Sequence, residues 1–269
     1  MLKGDWRVPN DSIKKTFVVA LLLCIVCSVV VSTAAVLLKP SQIANKAKDY
    51  KINILKAGGI YEKGIDAGKT INEMFQSVTT RLVDLDSGEY TDAVDIDKYD
   101  QRKASKDPSL SDPIPDEKDK AKINTRVKYS KVYLVKDGDD LKKVILPVKG
   151  YGLWSTLYGF ISLEPDLNTV SGITFYEHAE TPGLGGEVDN PSWKAQWSGK
   201  KVYEGEVGGD VKLTVIKGKT DSNTSDREYK IDGLSGATLT TRGVDNLVKF
   251  WMGPMGYAQY LNNLKSGEV

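Results

Sequence analysis

Residues 17–38 run for 22 positions without a charged side chain: FVVALLLCIVCSVVVSTAAVLL. As a helix rising ~1.5 Å per residue, this run reaches ~33 Å, enough to cross a hydrocarbon core of ~30 Å. A cleaved signal peptide has an apolar stretch of only about 7–15 residues. The length therefore favours a retained anchor, although Ser32, Thr33, Ala34 and Ala35 are small enough for a cleavage site. A lipoprotein signal is ruled out, because Leu22 and Leu23 precede Cys24. Pro40 is expected to stop the helix.

Charge orients the span. Lys3, Arg7, Lys14 and Lys15 outweigh Asp5 and Asp11 before it, while residues 39–269 hold 33 basic and 34 acidic side chains. The excess of cations on the short side places residues 1–16 in the cytoplasm and the main domain beyond the membrane. Net charge over all 269 residues is +1. That removes the basic excess on which phosphate-backbone binding depends, so nucleic acid is not an expected partner; the span makes membrane lipid one. The 2 Cys both lie in the span, at Cys24 and Cys27, and there is a single His, His178. A C-x-x-C pair is able to bind metal or cycle as a redox couple; packing as small apolar residues is the favoured role here. No metal site is expected. The exported part has no disulfide to staple it.

Beyond the span, Ile43, Ala47, Tyr50 and Ile54 continue at helical spacing, and Gly58-Gly59 ends the helix. Ile71, Met74, Phe75, Val78, Leu82 and Leu85 predict a second helix over 71–85, opened by a Thr70/Glu73 capping box. Residues 86–126, rich in Asp, Lys and Pro, read as a mostly irregular surface segment. Strand-like runs follow from Val127, at 143–149, 153–163, 170–176 and 211–216. Val244, Leu247, Val248 and Trp251 then mark a C-terminal helix. The expected class is α+β: one transmembrane helix, then an exported domain with a mainly antiparallel sheet flanked by helices. The expected segments are a tail (1–16), the span (17–38), a helical region with a long polar loop (39–126) and a ligand-binding domain (127–269).

Three glycine-rich stretches carry the candidate chemistry: GYGLWSTLYG at 150–159, ETPGLGG at 180–186 and DGLSGATLTT at 232–241. Each is explicable as turns. None has a phosphate-loop or dinucleotide spacing in a strand–turn–helix setting, and no Ser/His/Asp set stands out. From the residues alone, a flat or phosphorylated ligand between these loops is as far as the chemistry goes.

The run DGLSGAT at 232–238 resembles the flavinylation motif of the FMN-binding domain family. The resemblance implies FMN joined by a phosphoester to the last Thr, here Thr238. Asp232, Gly233, Ser235, Gly236 and Ala237 form the rest of the motif, which a flavin transferase recognises during maturation. Asp232 is also expected to order its own turn. Ser235, Thr240 and Thr241 are competing hydroxyls with a helix-capping role as their alternative. Other stretches, NDSIKKT at 10–16, LKP at 38–40 and NIL at 53–55, together with the first two glycine-rich runs, resemble the NqrC family of the Na⁺-translocating NADH:quinone reductases (Na⁺-NQR) along essentially the whole chain. This implies a one-electron carrier in an inner-membrane complex that oxidises NADH, reduces ubiquinone and exports Na⁺, with the other subunits as partners. Trp154, Leu157, Glu180, Thr181, Pro182, Gly183, Leu184 and Gly185 are the candidate flavin surroundings, with backbone N–H groups of 183–186 along its polar edge. His178 reads as a half-exposed strand-end residue rather than a proton relay. An RnfG-type component of an Rnf electron-transport complex, with the same covalent FMN, and a flavin-free membrane-anchored binding module stay open.

Overall fold

The computed structural model describes residues 12–61 and 70–269. The tail charges Lys3, Asp5, Arg7 and Asp11 lie outside the described residues. Helix α1 runs from Ile13 to Ala57, 45 residues. It is the one described helix long and apolar enough to cross a membrane, with a mean hydropathy of 2.8 over its most apolar window. Pro40 lies inside α1 and does not stop it. A proline there leaves the Val36 carbonyl without its helical N–H. The position falls next to Lys39, at the end of the uncharged run, where water can satisfy that carbonyl. Gly59, with φ of +64°, closes the helix as expected.

Residues 49–269 form a compact unit of their own. Its centre is a five-stranded antiparallel sheet of β1 (Val78–Asp84), β4 (Tyr129–Asp137), β5 (Asp140–Tyr151), β6 (Thr156–Leu163) and β7 (Val170–Glu177), in the order β1-β4-β5-β6-β7. The helix expected over 71–85 is therefore corrected. α2 spans only Ile71–Phe75, with the Thr70/Glu73 capping box in place. The chain then turns into β1, with Val78 opposite Val135 and Leu82 opposite Lys131. Val78, Thr79 and Thr80 are β-branched, and an unpaired edge of β4 rewards them more than a helical stripe does.

The polar segment 86–126 is likewise more ordered than its composition suggests. It holds a one-turn helix α3 (Gln101–Ala104) and a strand pair of β2 (Ser111–Pro113) with β3 (Thr125–Val127). Its aspartates act locally. Asp100 accepts from the Arg102 and Lys103 N–H groups, and Asp119 from those of Ile123 and Asn124. Among its apolar residues, Tyr99, Ala104, Ile114, Ala121 and Ile123 are buried in the main core, and Tyr90, Val94, Ile96 and Leu110 pack against it. The run 211–216 yields only β8 (Thr214–Val215), paired in parallel with β9 (Lys230–Ile231). α4 (Pro191–Ala195), α5 (Thr238–Met252) and α6 (Ala258–Ser266) complete the described α-helices.

The sheet is buried on both faces. On one, Ile54, Leu55 and Ala57 of α1 pack with Met74, Tyr133, Ile145 and Phe160. On the other, α5 lies along β5. Two glycines set how close it comes. A Cβ on Gly150 would fall 2.8 Å from Leu247 Cβ, and one on Gly243 would fall 2.4 Å from the Tyr151 carbonyl oxygen. This close approach brings the N-terminus of α5, and so Thr238, to the β5–β6 loop.

Candidate functional site

The three glycine-rich stretches, remote in sequence, meet at this end of the sheet. The first forms the β5–β6 turn, in which the Gly152 N–H donates to the Ser155 carbonyl at 2.9 Å. The second follows β7 and enters a 3-10 turn, Gly185–Asp189. The third leads into α5. The Glu180 carboxylate joins all of them. Its oxygens accept the Leu153, Trp154 and Ser155 N–H groups at 2.9–3.2 Å and the Thr240 hydroxyl at 2.7 Å. It is only 5% exposed. Burial would raise its pKa, but the Thr240 hydroxyl and the three N–H donors outweigh burial and hold it below the ordinary glutamate range. The carboxylate is thus ionised at neutral pH. Gly152 and Gly185 are glycines because a Cβ on either would stand 2.6 Å from a Glu180 oxygen.

The third stretch is pinned before α5 begins. The Asp232 carboxylate accepts from the Thr220 N–H and hydroxyl, both at 2.8 Å, and the Asp232 N–H donates to the Gln196 side chain at 3.1 Å. The expected bond of Asp232 within its own turn is replaced by this longer link. Thr220 supplies both its N–H and its hydroxyl to one carboxylate oxygen. The Gly233 N–H donates to the Gly218 carbonyl, and Gly236 takes a φ of +72° beside Leu184. The Thr241 hydroxyl accepts the Leu234 N–H at 2.9 Å.

These bonds sort the hydroxyls. Thr240 and Thr241 are buried and engaged, whereas Ser235 and Thr238 are exposed. The expected capping role is corrected: α5 begins at Thr238 after Ala237, and no side chain caps it. Thr240 and Thr241 lie past the cap position, facing the core. The N-terminal N–H groups of α5 are the positive end of its dipole.

Around Thr238 lies an unusual surface. Outside α1, the exposed large apolar side chains among the described residues are Tyr151, Leu153, Trp154, Leu184 and Leu239, and all five lie in or beside the three stretches. Trp154 is 66% exposed, Leu239 51% and Leu184 44%. An apolar group left in water at one place marks a binding surface. Tyr151, Leu153 and Leu239 were not singled out from sequence. Leu239 had a signal, since it falls off the α5 stripe that buries Val244, Leu247 and Trp251.

Of the other candidates, Thr181, Pro182 and Gly183 are exposed on the same loop. Leu157 is not on this surface: it is fully buried in the core beneath it. The expected row of free N–H groups at 183–186 is also reduced, because Leu184 and Gly186 both donate to the Thr181 carbonyl, closing the loop on itself. His178 follows β7. Its Nε2 bonds Asp189 at 2.9 Å while Nδ1 accepts the Glu180 N–H at 3.2 Å, so the Nε2–H tautomer braces the second stretch. No group of three metal-ligating side chains occurs among the described residues.

Residues 152–253 match the FMN-binding domain model. Among known proteins, the chain is 50% identical to the NqrC component of the Na⁺-translocating NADH-quinone reductase of Pseudomonas aeruginosa, covering 97% of this chain and 99% of that one. It is 48% identical to the component of the same name from Vibrio anguillarum, over 96% of this chain and 97% of that one. The crystal structure of Shewanella oneidensis NqrC superposes with a TM-score of 0.74 at 33% identity, covering 83% of this chain and 99% of that one. The corresponding crystal structure from Parabacteroides distasonis gives 0.58 at 26% identity, over 84% and 96%. With the α+β fold, the three converging loops and near-complete coverage in hand, the chain belongs to the NqrC family of the Na⁺-translocating NADH-quinone reductases and carries its FMN-binding domain.

Proposed function

We propose that FMN is attached to Thr238 by a phosphoester, and that the protein passes electrons singly within a complex coupling NADH oxidation and ubiquinone reduction to Na⁺ export. The observation that carries this is the placing of Thr238. It is exposed, it opens an uncapped helix, and the three stretches that meet at this end of the sheet carry the exposed apolar side chains. The residues fit the group. The free N–H end of α5 suits a phosphate, and Trp154, Leu184 and Leu239 offer apolar surface to a flat ring system. Bound FMN supplies the electron chemistry that these side chains lack. The chain's own part is to tether, to orient and to keep water from the faces of the ring. Burial of Thr240 and Thr241 leaves Thr238 and Ser235 as the accessible hydroxyls, and the resemblance of 232–238 to the flavinylation motif selects Thr238.

The maturation partner in this reading is a flavin transferase, and the lasting partners are the other subunits and membrane lipid. α1 anchors the chain in the inner membrane with its N-terminus cytoplasmic and its flavin domain periplasmic, following the charge bias around the span. Relatives from Na⁺-translocating reductases at 44–50% identity favour this complex over an Rnf-type one.

Intact-mass analysis of the chain co-expressed with its flavin transferase tests the attachment. One added FMN less water, mapped to the peptide containing Thr238 and absent from Thr238→Ala, is the expected result. A label that persists in that variant sinks the site. A colourless wild type made with active transferase favours the flavin-free module.

A further inference from the structure

We propose that Glu180 is the positioning residue of the flavin site, acting through the 153–155 backbone and Thr240 without itself meeting the ring. The proposal rests on the reading of Thr238 as the attachment site and adds what holds the surroundings in register. Three observations carry it.

The first is connectivity. Glu180 is buried and its two oxygens accept four donors, three from the loop bearing Trp154 and one from the turn of α5 bearing Thr238. The second is the space kept for it. Gly152 and Gly185, one on each flank, both approach so closely that a Cβ would stand 2.6 Å from a carboxylate oxygen. Gly185 would also stand 2.6 Å from the Thr240 hydroxyl. The third is support from behind. His178 Nδ1 accepts the Glu180 N–H at 3.2 Å, and the Ser155 hydroxyl accepts the Ala179 N–H at 2.7 Å. The Ala179 N–H thereby fixes the Glu180 segment to the loop that its carboxylate gathers, and His178, bonded through Nε2 to Asp189, braces it from the other side.

Among the described residues, the partners of this carboxylate are N–H groups and a hydroxyl rather than cations. The Leu153, Trp154 and Ser155 N–H groups and the Thr240 hydroxyl hold it. Removing it leaves three inward-facing N–H groups without an acceptor, and the 152–155 loop is then free to carry Trp154 away from Thr238. A glutamine preserves the arrangement: its carbonyl accepts the loop N–H groups, and its NH₂ donates to Thr240.

The test uses the full chain co-expressed with the flavin transferase, as Glu180→Ala, Glu180→Gln, Thr240→Val, Thr240→Ser and Trp154→Phe. Amide exchange at Leu153, Trp154 and Ser155 is followed in the flavin-free chain, made without the transferase, and fluorescence of the attached flavin in the co-expressed, loaded one. Glu180→Ala is expected to speed exchange at those amides about tenfold or more, the scale of ~1.4 kcal/mol for a lost charged hydrogen bond. It is also expected to relieve quenching by Trp154. Trp154→Phe should relieve the same quenching, and the double variant should add nothing further. Glu180→Gln and Thr240→Ser are expected to stay near wild type, and Thr240→Val to relieve quenching in part. Unchanged exchange and unchanged flavin fluorescence in Glu180→Ala would overturn the proposal. Should Glu180→Ala fail to fold, wild-type fluorescence in Thr240→Val overturns it as well. A wild type that takes up no flavin defeats the Thr238 reading alone, because the exchange data still judge Glu180.

Discussion

The indole Nε1 of Trp193 donates to the carbonyl oxygen of Asp232 at 2.7 Å. Trp193 lies on α4, 39 positions before the residue it holds. The bond fixes the start of the 232–238 run from outside, and the buried ring stacks edge-on against Trp197 at 5.5 Å. Phenylalanine at 193 keeps an aromatic ring and removes the donor, leaving the Asp232 carbonyl unpaired. Trp193→Phe is expected to cost ~1–2 kcal/mol, read from urea midpoints of the detergent-solubilised chain. It should also lower the flavin-labelled fraction, since the run loses one of its external ties. An unchanged midpoint would mean that Gln196 and Thr220 hold Asp232 without help.

Trp193 also shows where sequence becomes illegible. The three glycine-rich runs, the C-terminal helix and the span could be read from local spacing, because turns and stripes are short-range properties. The motif resemblance then singled out Thr238. Thr220, Gln196 and Trp193 could not be found that way, because hydrogen bonds across 12 to 39 positions leave no periodicity. β1 was missed for another reason. Val78 and Leu82, four apart, fit a helical stripe as well as one face of a strand, and only the open edge of β4 decides between them. The aspartates of 86–126 looked like a solvated loop because composition does not tell which carboxylates cap neighbouring N–H groups.

Glycine substitutions separate close approach from backbone conformation. At Gly183, φ is +75° and a Cβ would meet nothing within 4 Å, so alanine pays only the left-handed backbone, ~1–2 kcal/mol. At Gly243 the backbone is helical, but a Cβ would lie 2.4 Å from the Tyr151 carbonyl oxygen and 3.0 Å from Gly152 Cα. Gly243→Ala must push α5 off the end of β5, at a cost of ~3 kcal/mol by overpacking, offset in part by a helix preference of ~1 kcal/mol. The distinguishing measurement is flavin labelling. Gly243→Ala should lower it more than Gly183→Ala, because displacing α5 moves Thr238.

The last turns of α1 belong to the fold of residues 49–269. Ile54, Leu55 and Ala57 are buried against the sheet, and the Tyr50 and Tyr133 hydroxyls meet at 3.2 Å. A fragment beginning at residue 49 keeps these contacts and one beginning at residue 58 loses them. Leu55→Ala alone is expected to cost ~2–5 kcal/mol. The shorter fragment should therefore unfold at a markedly lower urea concentration than the longer one. Equal midpoints would show that the sheet does not need this cover.

Lys149 gives the domain an alkaline pH dependence. It lies on β5 opposite Tyr158, and removal from water pushes its amine down to about 8, with nearby Asp119 opposing the shift and Arg102 adding to it. The unfolded value is ~10.4. Between about 8 and ~10.4 the unfolded chain binds more protons at this residue than the folded one, so stability rises with pH across that window. Below it, the folded state bears a poorly solvated charge. Lys149→Met removes the charge and keeps the length of the side chain. The variant is expected to be more stable than wild type at pH 7 by ~1–3 kcal/mol, with the difference shrinking toward pH 10. Urea midpoints measured across that range check it. A wild-type midpoint that stays level or falls as pH rises from 8 to 10, with Lys149→Met running parallel to it, would show that the amine keeps its proton in the folded state.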